Sequence, residues 1–138
     1  MKYTASLQSV DGKLDVVMTK GDVTNKVAIA PQHKGIGSSI SGGEILFLAI
    51  AICYCNDLYR EGKKVGLAVE NVEVDVEGDF MAAGEPATNV TCKIKVTAQA
   101  GEDEIRKLVE HTDSIAEIPM SLRRGTQVTL TEIQVASL

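Results

Sequence analysis

The sequence lacks several features on which common binding functions depend. Its 138 residues include no tryptophan and only 4% aromatic side chains, which leaves little to stack on bases or sugars. The formal net charge is −5, whereas a general nucleic-acid binder needs clustered lysine and arginine. Three cysteines are an odd number and too few for a disulfide framework. We therefore expect no nucleic-acid partner and free thiols.

Long apolar segments are also missing. The N-terminal residues contain no apolar segment of the kind found in signal peptides, so we expect a cytoplasmic protein. The longest apolar run covers residues 45–55 and is followed at once by Asn56 and Asp57. This run is well short of the roughly 20 residues that cross a bilayer. We therefore expect no membrane association.

The apolar run predicts a central α-helix over residues 42–62. Ser41 and Glu44 have capping-box spacing, in which each side chain satisfies a backbone N–H of the first turn. Gly62, followed by two lysines, is typical of a helix end. The run is apolar around the whole helix circumference, which is typical of a helix at the centre of a core. We expect this helix to be buried on all sides.

Alternating sequence patterns predict β-strands on both sides of the helix. Residues 1–29 hold three short β segments separated by Asp-Gly and Gly-Asp, which indicates an antiparallel meander. Residues 67–77 and 90–98 alternate as half-buried antiparallel strands do. The three N-terminal strands are predicted at residues 3–10, 14–19 and 23–29.

The C-terminal part combines helices with a closing strand. Acidic residues from Glu102 onward open an amphipathic helix, and Pro119 marks the start of a further helical turn. Residues 126–135 are predicted to form the last strand. The order is βββ-α-ββ-α(α)-β, an α+β arrangement. We expect one domain over residues 1–138, with residues 67–138 as its C-terminal part.

Two cysteines lie within the central helix. At about 100° per residue, Cys53 and Cys55 project to nearly opposite sides, so they cannot bond to each other or share a metal ion. Each is either a small buried apolar residue or a redox-active nucleophile, which needs a nearby base or cation. Cys92, on the inward face of a strand, is predicted to be a packing residue.

The remaining patterns support neither a cofactor nor a metal ion. The glycine-rich loop at residues 35–43 precedes a helix but lacks the Gly-Lys-Ser/Thr ending of a P-loop. His33 and His111 stand apart from each other and from other ligand types. We therefore predict no cofactor-binding residues and no metal site.

Taken together, these features resemble the OsmC/Ohr family of thiol-dependent hydroperoxide reductases. The family has an apolar helix of the form Glu-Leu-Leu-x-Ala-x-x-Ala-x-Cys, and the run from Glu44 to Cys53 is similar to it. The family also has a late Cys-Pro-x-Ser segment, to which Ile-Pro-Met-Ser at residues 118–121 is similar. The resemblance spans nearly the whole chain, including the order of its elements.

The resemblance implies the OsmC-like fold, with antiparallel sheets around the central helix, and an intertwined homodimer with active sites at its interface. It places Cys53 at the peroxide-reducing position. Gly43 stands where Ohr and OsmC have their supporting glutamate, whereas Glu44 matches the glutamate spacing of the less characterised OsmC-like branches. In the family, a second cysteine converts the sulfenic acid to a disulfide, and an N-terminal arginine supports the thiolate. This chain is a divergent member in these terms, because Ile118 takes the place of the second cysteine and no arginine precedes Arg60.

Two functions remain open at this point. The first is an OsmC-like redox protein of the oxidative stress response, in which Cys53 reduces organic hydroperoxides as a thiol peroxidase. An external thiol or Cys55 of the partner subunit would complete its cycle. The second is a non-catalytic homodimer that binds a small apolar ligand, with its thiols as packing residues. The candidate catalytic residues are Cys53, Cys55 and Glu44.

Overall fold

The computed structural model describes all 138 residues of the chain. These residues form two compact units, Met1–Leu46 and Phe47–Leu138. The interpretation of the chain as a single domain therefore stays a prediction.

The first unit is built on a three-stranded antiparallel meander. Strands β1 (Tyr3–Val10), β2 (Lys13–Lys20) and β3 (Val23–Lys26) lie in the order β1-β2-β3. Asp11 and Gly12 both have positive φ, as a two-residue hairpin turn requires. The predicted meander is confirmed, although its third strand ends before residue 29.

Helix α1 (Gly42–Lys64) begins as predicted. The backbone N–H of Ser41 donates to Glu44 Oε2 at 2.7 Å, and the backbone N–H of Glu44 donates to Ser41 Oγ at 3.2 Å. This reciprocal pair is the capping box. The bonds with Ser41 also hold the pKa of the Glu44 carboxyl below its usual value.

The predicted helix end at Gly62 is wrong, because α1 continues to Lys64 and is closed by Gly66. Gly66 has φ of 76°, and the N–H of Leu67 donates to the carbonyl of Gly62 at 2.9 Å, as in a Schellman motif. Gly62 has a different role. A Cβ at this position would lie 2.7 Å from Val69 Cγ2, so glycine allows the close approach of the following strand.

The prediction that α1 is buried on all sides is also wrong for a single chain. Its buried positions share one face, which carries Ile50, Tyr54, Asp57, Leu58 and Glu61. The opposite face carries an apolar stripe, whose members are between 41% and 52% exposed: Ile45, Leu48, Ile52 and Tyr59. By length and composition α1 would also qualify as a membrane span, a test that core helices of soluble proteins pass as well.

The second unit contains a long hairpin and two further helices. Strands β4 (Val69–Asp79) and β5 (Thr88–Ala98) pair antiparallel, followed by α2 (Glu102–Ile115) and α3 (Glu117–Arg123). Alternate side chains of the hairpin pack against a small buried core of α1 and the α2–α3 junction: Val74, Val76, Cys92 and Ile94 against Ile50, Tyr54 and Ala116. The predicted hairpin and both helices are confirmed, and α3 begins two residues before Pro119.

The predicted final strand does not form in this chain. Residues 126–138 have no regular secondary structure. Four apolar side chains of this tail are between 74% and 90% exposed: Val128, Leu130, Ile133 and Val135. A strand needs a neighbour for its backbone hydrogen bonds, and no strand of this chain pairs with the tail.

Candidate thiol site

Cys53 lies in the middle of α1 beside two carboxylates. Its half-buried Sγ is 3.6 Å from Asp57 Oδ2, to which the thiol donates, and 3.9 Å from Glu117 Oε2. Asp57 follows Cys53 by four residues and so occupies the same helix face one turn later. Glu117 is the first residue of α3. The α2–α3 junction thus brings a second carboxylate over the thiol.

The Asp57 carboxylate is buried but paired. Its residue is only 4% exposed, and its Oδ1 accepts an ion-pair contact of 2.9 Å from Arg60 Nη1. A buried carboxylate without such a partner would be strongly destabilising. Because Arg60 contacts Oδ1, the other oxygen, Oδ2, is directed to the thiol of Cys53.

The electrostatic environment raises the pKa of the Cys53 thiol. Burial is the main cause, and the negative charges of Asp57 and Glu117 act in the same direction. The backbone of Ile118 opposes them and acts to lower the pKa of the thiol. At neutral pH the residue is therefore a protonated thiol, whose reaction with an electrophile requires a base to accept the proton.

A second ionic cluster surrounds Glu61 further along α1. Its carboxylate contacts Arg60 Nε at 3.0 Å, Lys64 Nζ at 2.8 Å and His111 Nε2 at 2.9 Å. Hydrogen bonds from Lys64, His111 and Arg60 lower the pKa of Glu61 to about 2. Because His111 belongs to α2, the cluster links α1 to α2.

A third polar network lies next to Cys53 and positions both later helices. The Tyr54 hydroxyl donates to Asp113 Oδ1 at 2.6 Å, and Arg123 Nη2 donates to the same oxygen at 2.7 Å. Burial and the Asp113 carboxylate raise the pKa of Tyr54. Cys92 lies near this network, where burial raises the pKa of its thiol against an opposing effect of Arg123. Its contact with the buried core fits the predicted packing role.

The three predicted site residues lie at different places on α1. Cys53 is in the carboxylate cluster, whereas Cys55 is half-buried on the side that carries the apolar stripe, and both thiols are free. The side chain of Glu44 accepts hydrogen bonds from the backbone and the hydroxyl of Ser41 at the start of the helix. Catalytic roles for these residues stay predictions.

Two residues of the cluster were missed by the sequence analysis. The spacing of Cys53 and Asp57 by four residues was a usable signal, because it places both side chains on one helix face. Glu117 gave no local signal, since only the folded chain brings it to the thiol. Together the three residues are also a set of metal-ligating side chains, although the sequence predicted no metal site.

Comparison with known proteins shows what the chain is similar to in sequence and fold. The family model described as OsmC-like protein matches residues 35–131. No curated protein matches the sequence. An OsmC-like protein from Mycoplasma pneumoniae has a TM-score of 0.64 at 12% identity, covering 89% of this chain and 88% of its own.

Two further solved structures are similar. A putative osmotic stress induced and detoxification response protein from Psychrobacter arcticus 273-4 has a TM-score of 0.62 at 16% identity, with 86% of each chain covered. An organic hydroperoxide resistance protein from Legionella pneumophila has a TM-score of 0.56 at 12% identity, covering 89% of this chain and 90% of its own. These likenesses confirm the predicted fold, with antiparallel sheets and three helices.

Proposed function

The chain belongs to the OsmC-like protein family, and on that premise we propose that it is a thiol-dependent redox protein in which Cys53 reduces organic hydroperoxides. The observation that carries this proposal is the contact between the Cys53 thiol and Asp57 Oδ2, at 3.6 Å. The thiol has no cation to hold it as a thiolate, but it has a carboxylate that can accept its proton. The substrate class is suggested by the hydroperoxide resistance protein among the similar structures.

In the proposed reaction, the Cys53 sulfur attacks the terminal oxygen of a hydroperoxide, ROOH. A sulfur–oxygen bond forms and the oxygen–oxygen bond breaks, which oxidises the sulfur by two electrons. The thiol proton passes to Asp57 and then to the departing alkoxide, which leaves as the alcohol ROH. Cys53 is left as a sulfenic acid. Arg60 contacts the other oxygen of Asp57, Oδ1, at 2.9 Å, so Oδ2 is the oxygen that faces the thiol.

The sulfenic acid must be reduced by a thiol that is not at the usual family position. Ile118 occupies that position, and its backbone acts to lower the pKa of the Cys53 thiol. We propose that an external thiol, or Cys55 of the partner subunit, attacks the sulfenic acid to form a disulfide and water. A second thiol then reduces this disulfide by thiol–disulfide exchange and releases Cys53 as the free thiol. A cytoplasmic location, where thiols are kept reduced, fits this cycle.

We further propose that the protein is an intertwined homodimer. The apolar stripe of α1 is a continuous exposed surface on the helix that carries Cys53 and Cys55. The C-terminal tail is the second support, because its apolar residues and its backbone both lack partners within one chain. A second copy of the chain would cover the stripe and offer a strand to the tail.

The alternative is a non-catalytic dimer that binds a small apolar ligand. The raised pKa of the Cys53 thiol favours it, because a thiol that stays protonated is a weak nucleophile. In this alternative the cysteines are packing residues, and Asp57 serves only to pair with Arg60.

The two functions can be distinguished by measuring peroxide consumption and the oxidation of Cys53 in the same experiment. Reduced protein is mixed with cumene hydroperoxide without an added reductant, and sulfenic acid at Cys53 is trapped with dimedone and located by mass spectrometry. We expect about one peroxide consumed per chain by the wild type and by Cys92→Ser, and none by Cys53→Ser. Equal, slow peroxide loss in wild type and Cys53→Ser would establish the non-catalytic alternative.

A further inference from the structure

The Cys53 cluster has the geometry of a metal site. Cys53 Sγ, one carboxylate oxygen of Asp57 and one carboxylate oxygen of Glu117 all lie within 4.8 Å of one another. The sulfur is 3.6 Å from one oxygen and 3.9 Å from the other. Ligands of a tetrahedral zinc ion, at about 2.3 Å for sulfur and about 2.0–2.2 Å for oxygen, are separated by about 3.5 Å. A small inward movement of Glu117 would bring its carboxylate oxygen to this separation from the other two ligand atoms.

The ligand atoms are held in place by the surrounding protein. Cys53 and Asp57 are one turn apart on α1, a spacing that lets two side chains ligate one ion. Asp57 is 4% exposed and Arg60 contacts its Oδ1, so Oδ2 is a buried acceptor whose hydrogen bond comes from the thiol. A protonated thiol is a weak hydrogen-bond donor. A bound cation would satisfy this buried oxygen far better than the thiol does.

The ligand types select the class of metal. Mg²⁺ and Ca²⁺ take oxygen ligands, whereas a thiolate favours softer ions. One thiolate with two carboxylates suits a borderline divalent ion such as Zn²⁺. Three protein ligands leave the fourth tetrahedral position for water or a small ligand. Glu117 is exposed, so an ion has a path from solvent.

We infer that Cys53, Asp57 and Glu117 form a binding site for a borderline divalent metal ion of the Zn²⁺ class. Binding forms one metal–sulfur and two metal–oxygen bonds and releases the thiol proton to solvent, so that Cys53 is bound as a thiolate. No electron transfer takes place. Binding itself does not depend on the proposed function.

A regulatory consequence does rest on the proposed function. The sulfur electron pair that would attack a peroxide is shared with the bound metal, and Asp57 is no longer free to accept a proton. Zinc is therefore expected to suppress peroxide reduction. Removal of the ion with a chelator would restore the free Cys53 thiol and its reaction with peroxide.

The direct test is metal binding by the reduced, metal-free protein, with a measured Kd for Zn²⁺ and the spectrum of bound Co²⁺. We expect one Zn²⁺ per chain, and for Co²⁺ a thiolate charge-transfer band with the intense visible bands of tetrahedral coordination. Because loss of an outer-shell partner already weakens binding about 10- to 100-fold, loss of a ligand should weaken it by at least about 100-fold. The ligand variants are Cys53→Ser, Asp57→Asn and Glu117→Gln.

Control variants keep the result unambiguous. Cys55→Ser and Cys92→Ser retain the cluster and should bind Zn²⁺ as the wild type does. Glu117→Gln changes an exposed side chain and should fold normally, so its loss of binding cannot be ascribed to unfolding. Failure of the wild type to bind Zn²⁺, or undiminished binding by Glu117→Gln, would overturn the inference. Zinc binding without any peroxide consumption by the metal-free protein would instead reject the proposed function and keep the metal site.

Discussion

The Tyr54 hydroxyl donates a 2.6 Å hydrogen bond to Asp113 Oδ1, joining α1 to α2 one residue after Cys53. Arg123 of α3 donates to the same oxygen, so one carboxylate positions three helices. The side chain of Tyr54 is almost fully buried, whereas Asp113 is partly exposed. Because Glu117 begins α3, its placement over the Cys53 thiol depends on the contacts of Tyr54, the next residue of α1.

Removing the Tyr54 hydroxyl should destabilise the protein. Hydrogen bonds to charged groups contribute about 1.5–3 kcal/mol, and partial exposure of Asp113 reduces this. We expect Tyr54→Phe to lower the free energy of unfolding by about 1–2 kcal/mol in urea denaturation. Tyr59→Phe is the matched control, because its hydroxyl makes only a 3.3 Å bond to the Glu70 carbonyl at an exposed position. Equal stability of the two variants would contradict the structural role of Tyr54.

Asp57 should be required for peroxide reduction. General bases contribute typically 10²–10⁴-fold, so Asp57→Asn should slow single-turnover peroxide consumption by about 100-fold. The raised pKa of Cys53 is the reason, since the proton must leave during the attack. Thermal unfolding of the variant measures any loss of stability from the unpaired Arg60. An unchanged rate would eliminate Asp57 as the base.

Glu117 should make the Cys53 thiol less reactive, in contrast to Asp57, which should promote its reaction with peroxide. Its negative charge contributes to the raised pKa of Cys53, although less than burial does. Glu117→Gln should lower that pKa and speed alkylation of Cys53 by iodoacetamide at pH 8, by less than about tenfold, because a full pKa unit corresponds to that factor. Glu102→Gln removes the same charge at the start of α2 and serves as control. Slower alkylation of Glu117→Gln would contradict the electrostatic assignment.

Acid should weaken the contact between α1 and α2 through Glu61. The folded-state pKa of Glu61 is about 2, below its ordinary value of 4.5, so its contribution to stability is complete above about pH 4.5. That contribution is lost as the pH falls from about 4.5 towards about 2. We expect the Tm of Glu61→Gln to depend less on pH in this window than that of the wild type. Glu73→Gln, which removes an exposed carboxylate 3.8 Å from Lys95, should keep the wild-type pH dependence.

The apolar stripe of α1 should be the centre of the homodimer interface. A carboxylate at Ile52 would be buried without a partner in the dimer, which is strongly unfavourable. We expect Ile52→Glu to sediment as a monomer at micromolar concentration while the wild type sediments as a dimer. Met81→Glu, at an exposed loop position, is the control and should not change the association. A monomeric wild type would reject the dimer.

Local features were predictable wherever neighbouring residues decide the structure. Ser41 and Glu44 form their capping box because both partners lie within one turn, and Asp11 and Gly12 form the hairpin turn that their dipeptide predicts. Predictions failed where a distant element decides. The sequence predicts a helix end at Gly62, but this glycine is needed where Val69 packs closely on the helix, and Gly66 closes the helix instead.

By itself, the sequence determined the order of the elements up to α3, the start of α1 and the opposite directions of Cys53 and Cys55, because strand alternation and helix periodicity are local properties of the chain. The tertiary structure decided which face of α1 is covered and what surrounds its thiol. Asp57 could be anticipated from helix geometry, but Glu117 is brought to Cys53 only by the packing of the α2–α3 junction. The charge around the thiol, which governs its chemistry, is therefore a property of the fold.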